Sequence, residues 1–374
     1  MREDVTVSYR GANYEIGKGK NFYGIWVTGA PKSQPSEQWP ETPEGWHGAW
    51  TRFTGIEMPG TIVPADEGIA STADTRQDAT IATSLLGIGV ILGIVGLFPD
   101  YLGGTSLAQQ PPEIVAHAIY LAVWTASAVL ILPGGTLRRV GALLGIGMSV
   151  VTFGLFFADA GTPISGGAHL MGAGLILSLV GWLACAAGGT VALRRQSAGA
   201  PGRPQRHAMG LFLALTLAAL GAAAAFAPSW DSFTLRTSAG ATNSVTAGYA
   251  FSSPGAVIAG DLAAMIALVA VVVIAALWRP TLLGAALLAG AIIPMAAQAI
   301  SALVQLGQTV APSQFGISST EATRAGLTIS SGVTPAFWIF CAFVVALIAL
   351  CVGMLVPMRQ TALGGSRTPT TTFS

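Results

Sequence analysis

Residues 256–278 read AVIAGDLAAMIALVAVVVIAALW, twenty-three positions with a single ionisable side chain, Asp261. An apolar run of about 20 residues crosses a hydrocarbon core of roughly 30 Å when it is helical. Inside such a core only helices or closed barrels leave no backbone group unpaired. Seven further runs of the same kind flank this one, at 79–98, 113–132, 140–158, 168–192, 209–227, 281–306 and 335–356. The expected fold class is therefore an all-α polytopic membrane protein of about eight transmembrane helices.

Composition agrees. Of 374 residues, 52% are hydrophobic and 9% charged, with a mean hydropathy of +0.64. Ordinary soluble domains carry about 25% charged residues, so the apolar excess faces lipid. A net charge of +1 argues neither for nucleic acid nor for an acidic partner, and no basic patch accompanies the aromatics, so no nucleic acid is expected. The cations are 15 Arg and 3 Lys, and with abundant Ala and Gly they suit a GC-rich bacterial genome. Cys185, Cys341 and Cys351 lie within apolar runs and read as small buried hydrophobes, not a disulfide framework. Because the first apolar run begins near Ala79, the first helix is expected to serve as its own insertion signal.

The 58 residues before the helices have a different texture. Val5–Tyr9, Tyr14–Ile16 and Phe22–Val27 read as strands, joined by turns at Gly11–Asn13 and Gly17–Lys20. Thr42-Pro43-Glu44 then has helix-start chemistry, a Thr cap, a first-position Pro and a first-turn acid. That helix runs to about Glu57 and aligns Trp46, Trp50 and Phe53 at i, i+4 and i+7. The expected order is a small Trp-rich α+β cytosolic module at 1–58, a linker at 59–78, the eight-helix domain at 79–358 and a disordered cytosolic tail at 359–374.

Charge orients the bundle. With the N-terminus inside, the inner loops hold Arg138, Arg139, Arg194, Arg195, Arg203, Arg206 and Arg279, and the tail adds Arg359 and Arg367. The outer loops hold Arg236 and Arg324, so the positive-inside bias predicts a plasma-membrane protein with both termini cytoplasmic. The arginine turns at 132–139 and 278–283 are about 141 positions apart. They suggest a 4+4 parallel repeat about an axis along the membrane normal. Any alternating membrane chain also gives such a pattern, and identity between the halves is poor.

Ionisable residues inside membrane helices are costly and mark function by default. Glu113 and His117 stand one turn apart at the outer end of helix two, Asp159 closes helix three, His169 begins helix four, and Asp261 lies one to two turns into helix six. Gathered together they would form one polar site in the outer half, a mixed His/carboxylate set able to hold a divalent metal or relay protons. Taken singly they are interfacial side chains snorkelling to water. Pro294 is expected to kink helix seven one turn before Gln298. Gly89/Gly93 and Gly141/Gly145 have the spacing of close helix packing. The chain offers no phosphate loop, zinc spacing or nucleophile elbow, so neither an enzyme nor a metal or other cofactor is expected. The leading expectation is a scaffold or accessory protein whose module engages a cytosolic or membrane protein through Trp46 and Trp50. The alternative is a small-solute or proton-coupled transporter using Asp261, His117 and His169.

Overall fold

The computed structural model describes residues 5–28, 35–57, 61–65, 72–194, 200–201, 209–246 and 253–355. The chain divides into two compact units, Met1–Asp78 and Ala79–Ser374. Arg195, Arg203, Arg206, Arg359, Arg367 and the tail lie outside the described residues.

The first unit is an antiparallel sheet with one helix. Strands β1 (Thr6–Arg10), β2 (Tyr14–Gly19), β3 (Phe22–Val27) and β4 (Glu37–Pro40) precede helix α1 (Pro43–Ile56), and β5 (Val63–Pro64) follows it. The sheet order is β4-β3-β2-β1-β5. Thr42 caps α1 through its Oγ1, which accepts from Gly45 N at 3.0 Å. Ile16, Ile25, Trp26, Ala49 and Phe53 are fully enclosed. Two details depart from the sequence reading. The second turn is Lys20–Asn21, with Asn21 at a positive φ of 66°, because β2 continues through Gly19 to pair with Phe22. Residues expected to be linker supply β5, which pairs with β1. With two residues, one of them Pro, this strand leaves no alternation to read.

Glu57, just beyond α1, ties the helix to the sheet. Its carboxylate accepts from the backbone N–H groups of Ala12, Asn13 and Tyr14 at 2.9, 2.7 and 2.6 Å. Burial pushes its pKa up, but these three donors together with Thr61 outweigh burial and hold it below the ordinary value.

The second unit holds the spanning helices α2 (Thr72–Gly96), α3 (Pro111–Ile131), α4 (Gly135–Gly166), α5 (Ala173–Leu193), α6 (Met209–Phe226), α7 (Gly255–Leu277) and α8 (Thr281–Gln305). After the short α9 (Ser319–Ala325) comes the last of them, α10 (Pro335–Gly353). The described residues thus contain 8 helices long and apolar enough to cross a membrane. Ile266, Leu217, Val345 and Ile91 are among the large apolar side chains they leave outside the bundle, where water would be unfavourable. The chain is an integral, multi-pass membrane protein.

Three helices differ from their expected limits: α2 begins seven residues earlier, α5 five later, and α4 extends at both ends. With 32 residues, α4 is about 48 Å long at 1.5 Å per residue. It continues past Asp159 to Gly166, so Asp159 sits inside the helix about two turns from its end.

The neighbours of α4 are α3, α5, α7 and α8, and those of α8 are α7, α10, α3 and α4. Helix α6 packs on α7 and α10, as α2 packs on α3 through Gly93 and on α5 through Gly89. Exchanging α2 with α6, α3 with α7, α4 with α8 and α5 with α10 leaves this pattern unchanged. The glycine contacts put the exchange in register. A Cβ on Gly147 of α4 would meet the Leu287 carbonyl of α8, and one on Gly290 would meet the Leu144 carbonyl of α4, an offset of 143 both ways. At the next helix pair, Gly141 abuts Ser127 O and Leu130 Cβ of α3, while Gly284 abuts Ala275 O and Trp278 Cβ of α7, an offset of 148.

The loops repeat the same plan. Between α2 and α3 lies a hairpin of β6 (Asp100–Leu102) and β7 (Thr105–Ser106), and Leu102 bridges to Met171 in the α4–α5 loop. Between α6 and α7 lies a longer hairpin of β9 (Asp231–Arg236) and β10 (Thr242–Thr246). Its first strand pairs with β12 (Thr328–Val333) in the α8–α10 connection. At the opposite end, the turns carrying Arg138 and Arg279 mark what is called below the arginine end. There, β8 (Ala200–Pro201) pairs with β11 (Trp278–Arg279).

Candidate functional site

Helix α3 sets Glu113, His117 and Tyr120 on successive turns of one face, the i, i+4, i+7 spacing. Helix α4 brings Phe156 and Asp159 to them, α6 brings Phe226, α7 brings Asp261 and α8 brings Gln298. Together they line a cavity of about 170 Å³, room for about five or six waters at roughly 30 Å³ each. It lies toward the end of the bundle opposite the arginines. Among the described residues no Lys or Arg enters its wall.

Each polar group has a defined hydrogen-bond state. His117 Nδ1 is 2.9 Å from the Glu113 carbonyl oxygen. A carbonyl only accepts, so Nδ1 carries a hydrogen, and in the neutral imidazole Nε2 then keeps its lone pair. That Nε2 is buried without a partner among the described residues. The rings of Tyr101 and Tyr120, both 5.6 Å away, and of Phe156 at 6.0 Å surround the imidazole. Tyr101 Oη donates to Asp159 Oδ2 at 2.7 Å. Burial, and next the Asp159 carboxylate, push the Tyr101 phenol well above its ordinary pKa, so it remains a donor. Gln298 Nε2 donates to Tyr120 Oη at 2.9 Å. His117 and Tyr120 also wall a second cavity of about 10 Å³. That cavity is shared with Ser178, whose hydroxyl likewise has no described partner.

The register of the two halves shows what is special here. An offset of 148 places Asp261 at the position equivalent to Glu113, so the cavity draws an equivalent acid from each half, with Asp159 of the first half as a third. Deeper in the bundle the halves diverge. In the first, Trp124 Nε1 donates to Ser149 Oγ at 3.4 Å, Trp182 Nε1 to Thr152 Oγ1 at 2.9 Å, and Ser127 Oγ to Gly141 O at 2.6 Å. The equivalents of Tyr120, Trp124 and Ser127 are Leu268, Val272 and Ala275, and those of Ser149 and Thr152 are Ile292 and Met295, all five buried. One packing plan thus carries a polar stripe in its first copy and an apolar seal in its second.

Four of the five acids and imidazoles expected in a polar site, Glu113, His117, Asp159 and Asp261, meet at this cavity, together with Gln298. His169 does not. It is exposed in a short turn, Ala168–Leu170, because α5 begins later, at Ala173. Pro294 is buried within an uninterrupted α8. It has no N–H for the Gly290 carbonyl, which lies at the α4–α8 crossing. Tyr120, Phe156, Phe226 and Tyr101 escaped the sequence reading. Tyr120 was findable, three residues after His117 on the same face, whereas Tyr101 reaches the site from a loop hairpin.

In the first unit, Trp46 and Trp50 are half-buried and stack on each other with ring centroids 6.1 Å apart. Tyr23 packs on Trp46 at 5.0 Å and Tyr9 on Trp50 at 4.7 Å. Among the described residues no three His, Cys, Asp or Glu side chains are placed to hold a metal ion. No family model, no curated protein and no solved structure matches this chain.

Proposed function

We propose that the membrane domain is a non-enzymatic carrier that binds a small polar solute in the cavity between Glu113, Asp159 and Asp261. The observation that carries this reading is convergence: acids on three different helices, an imidazole and a carboxamide border one space. Side chains that only snorkel to the interface have no reason to converge. A parallel repeat with its polar site between the halves is also a plan used by carriers that rock one half against the other. The arginine bias supports a reading with both termini in the cytoplasm and the acidic cavity toward the outer side.

The test is solute-induced current from reconstituted protein on a supported membrane, with a panel of small cationic, neutral and anionic solutes. Expected is a saturating current with at least one solute that the Glu113→Gln/Asp261→Asn double variant lacks. Currents equal to those of empty liposomes for every solute would overturn the reading.

The half-buried aromatic cluster of the first unit supports a second role, docking of a protein partner through Trp46 and Trp50. Crosslinking in native membranes, compared between the intact chain and Trp46→Ala, tests it. An unchanged crosslink pattern would remove it.

A further inference from the structure

We infer that the cavity selects a small primary ammonium, a cation that presents three N–H donors. This rests on the carrier reading and adds the chemical class of the solute. The argument is a count of lone pairs. In its neutral form His117 offers Nε2 as a bare acceptor, because the Glu113 carbonyl holds the ring hydrogen on Nδ1. Asp159 Oδ2 is used by Tyr101, which leaves Oδ1. With Gln298 Nε2 turned to Tyr120, the Gln298 Oε1 is left. No hydrogen bond from a described residue reaches the carboxyls of Glu113 or Asp261. The remaining donors are the Tyr120 hydroxyl and one hydrogen of Gln298.

A wall with so many open acceptors, several of them acidic, and no Lys or Arg is complementary to a positive ligand rich in N–H groups. Buried polar groups that find no partner are costly, which favours a ligand able to satisfy several at once. The rings of Tyr120, Phe156 and Phe226 add faces that attract a cation. At about 170 Å³ the space admits only a few heavy atoms. A divalent metal is a poorer match, since no three ligand side chains are suitably placed among the described residues. An alkali ion makes no use of the imidazole lone pair.

The experiment uses the purified full-length chain with methylammonium, tetramethylammonium and potassium chlorides at equal ionic strength. Methylammonium should raise the thermal unfolding midpoint by at least 3 °C. Tetramethylammonium, with the same charge and no N–H, should not, and potassium should not. The Glu113→Gln/Asp261→Asn variant should lose the methylammonium effect. A second arm places Leu155→Cys in a background with Cys185, Cys341 and Cys351 changed to Ala, and follows its labelling by 2-aminoethyl methanethiosulfonate. Methylammonium should slow that reaction at least threefold, and Phe226→Cys serves if Leu155→Cys does not fold. Labelling that methylammonium does not slow, or that tetramethylammonium or potassium slows equally, overturns the ammonium class while the cavity stands. Absence of labelling at both positions overturns the cavity as a solute site, and the inference with it.

Discussion

Glu113 and Asp261 occupy equivalent positions in the two four-helix halves and line the same cavity. Glu113 is the third residue of α3 and Asp261 the seventh of α7. They differ in their neighbours: His117 follows Glu113 by one turn, and Met265 holds the equivalent place after Asp261. Neither carboxyl takes part in a hydrogen bond among the described residues. Glu113→Gln and Asp261→Asn should therefore each leave stability within about 0.5 kcal/mol of the parent. The solute response should fall in each and vanish in the double variant. Thermal unfolding and the solute-induced current check the two halves of this expectation.

The Tyr120–Gln298 hydrogen bond has an apolar twin. Its equivalents are Leu268 and Leu155, which belong to one apolar cluster. The protein itself thus supplies the replacement. Tyr120→Leu alone strands the Gln298 amide and should cost about 1–3 kcal/mol. The double variant Tyr120→Leu/Gln298→Leu should recover most of that loss, because both partners of the bond are removed together. It should nevertheless lose solute binding, and thermal midpoints measured with and without solute separate the two effects.

Gly147 and Gly290 allow α4 and α8 to cross at backbone distance. A methyl on either would strike the carbonyl of the opposite helix, and backbone yields little. Gly147→Ala and Gly290→Ala should each destabilise by about 1–3 kcal/mol. Gly87 has nothing within 4 Å of a Cβ. Gly87→Ala should be neutral or stabilise by up to ~1 kcal/mol. Unfolding in a denaturing detergent series gives the comparison.

Glu57 closes the first unit by accepting three backbone N–H groups. Glu57→Gln removes the charge from those bonds and should cost about 2 kcal/mol, since hydrogen bonds to charged groups are the stronger ones. The pH dependence follows from its lowered folded pKa. A carboxyl of this kind contributes its full stability above the unfolded value of about 4.3. That stability is lost as pH falls through the lower folded value. Hydrogen exchange at the amides of Ala12, Asn13 and Tyr14 should accelerate in that acid window, and in Glu57→Gln at neutral pH.

The spans were legible because lipid demands long apolar runs, and five of the eight structural helices agree with theirs within three residues at both ends. Of the others, α2 begins seven residues earlier, α5 five later, and α4 runs on because Ala160-Gly161-Thr162 is weakly apolar yet still helical. The acids of the site were legible as isolated charges, and their meeting was one of two readings; choosing between them needed the helix crossings, such as the one at Gly147 and Gly290. The duplication stayed half-hidden for a related reason. Lipid-facing positions accept almost any apolar residue, and the shifts between halves differ, 143 for α4 and α8 but 148 for α3 and α7. No single offset aligns them. The loop sheet β10-β9-β12 carries mostly half-exposed or exposed residues, so no buried alternation announced it.

The most direct measurement is the reactivity of single cysteines at 113 and 261 toward a membrane-impermeant maleimide, in vesicles of cysteine-free protein. Positions 266 and 345, at the exposed apolar residues Ile266 and Val345, serve as lipid-facing controls. Cysteines at 113 and 261 should both react from one and the same side of the membrane, much faster than the controls. Reaction from opposite sides, or at the controls' rate, would contradict a shared water-filled cavity between the two halves.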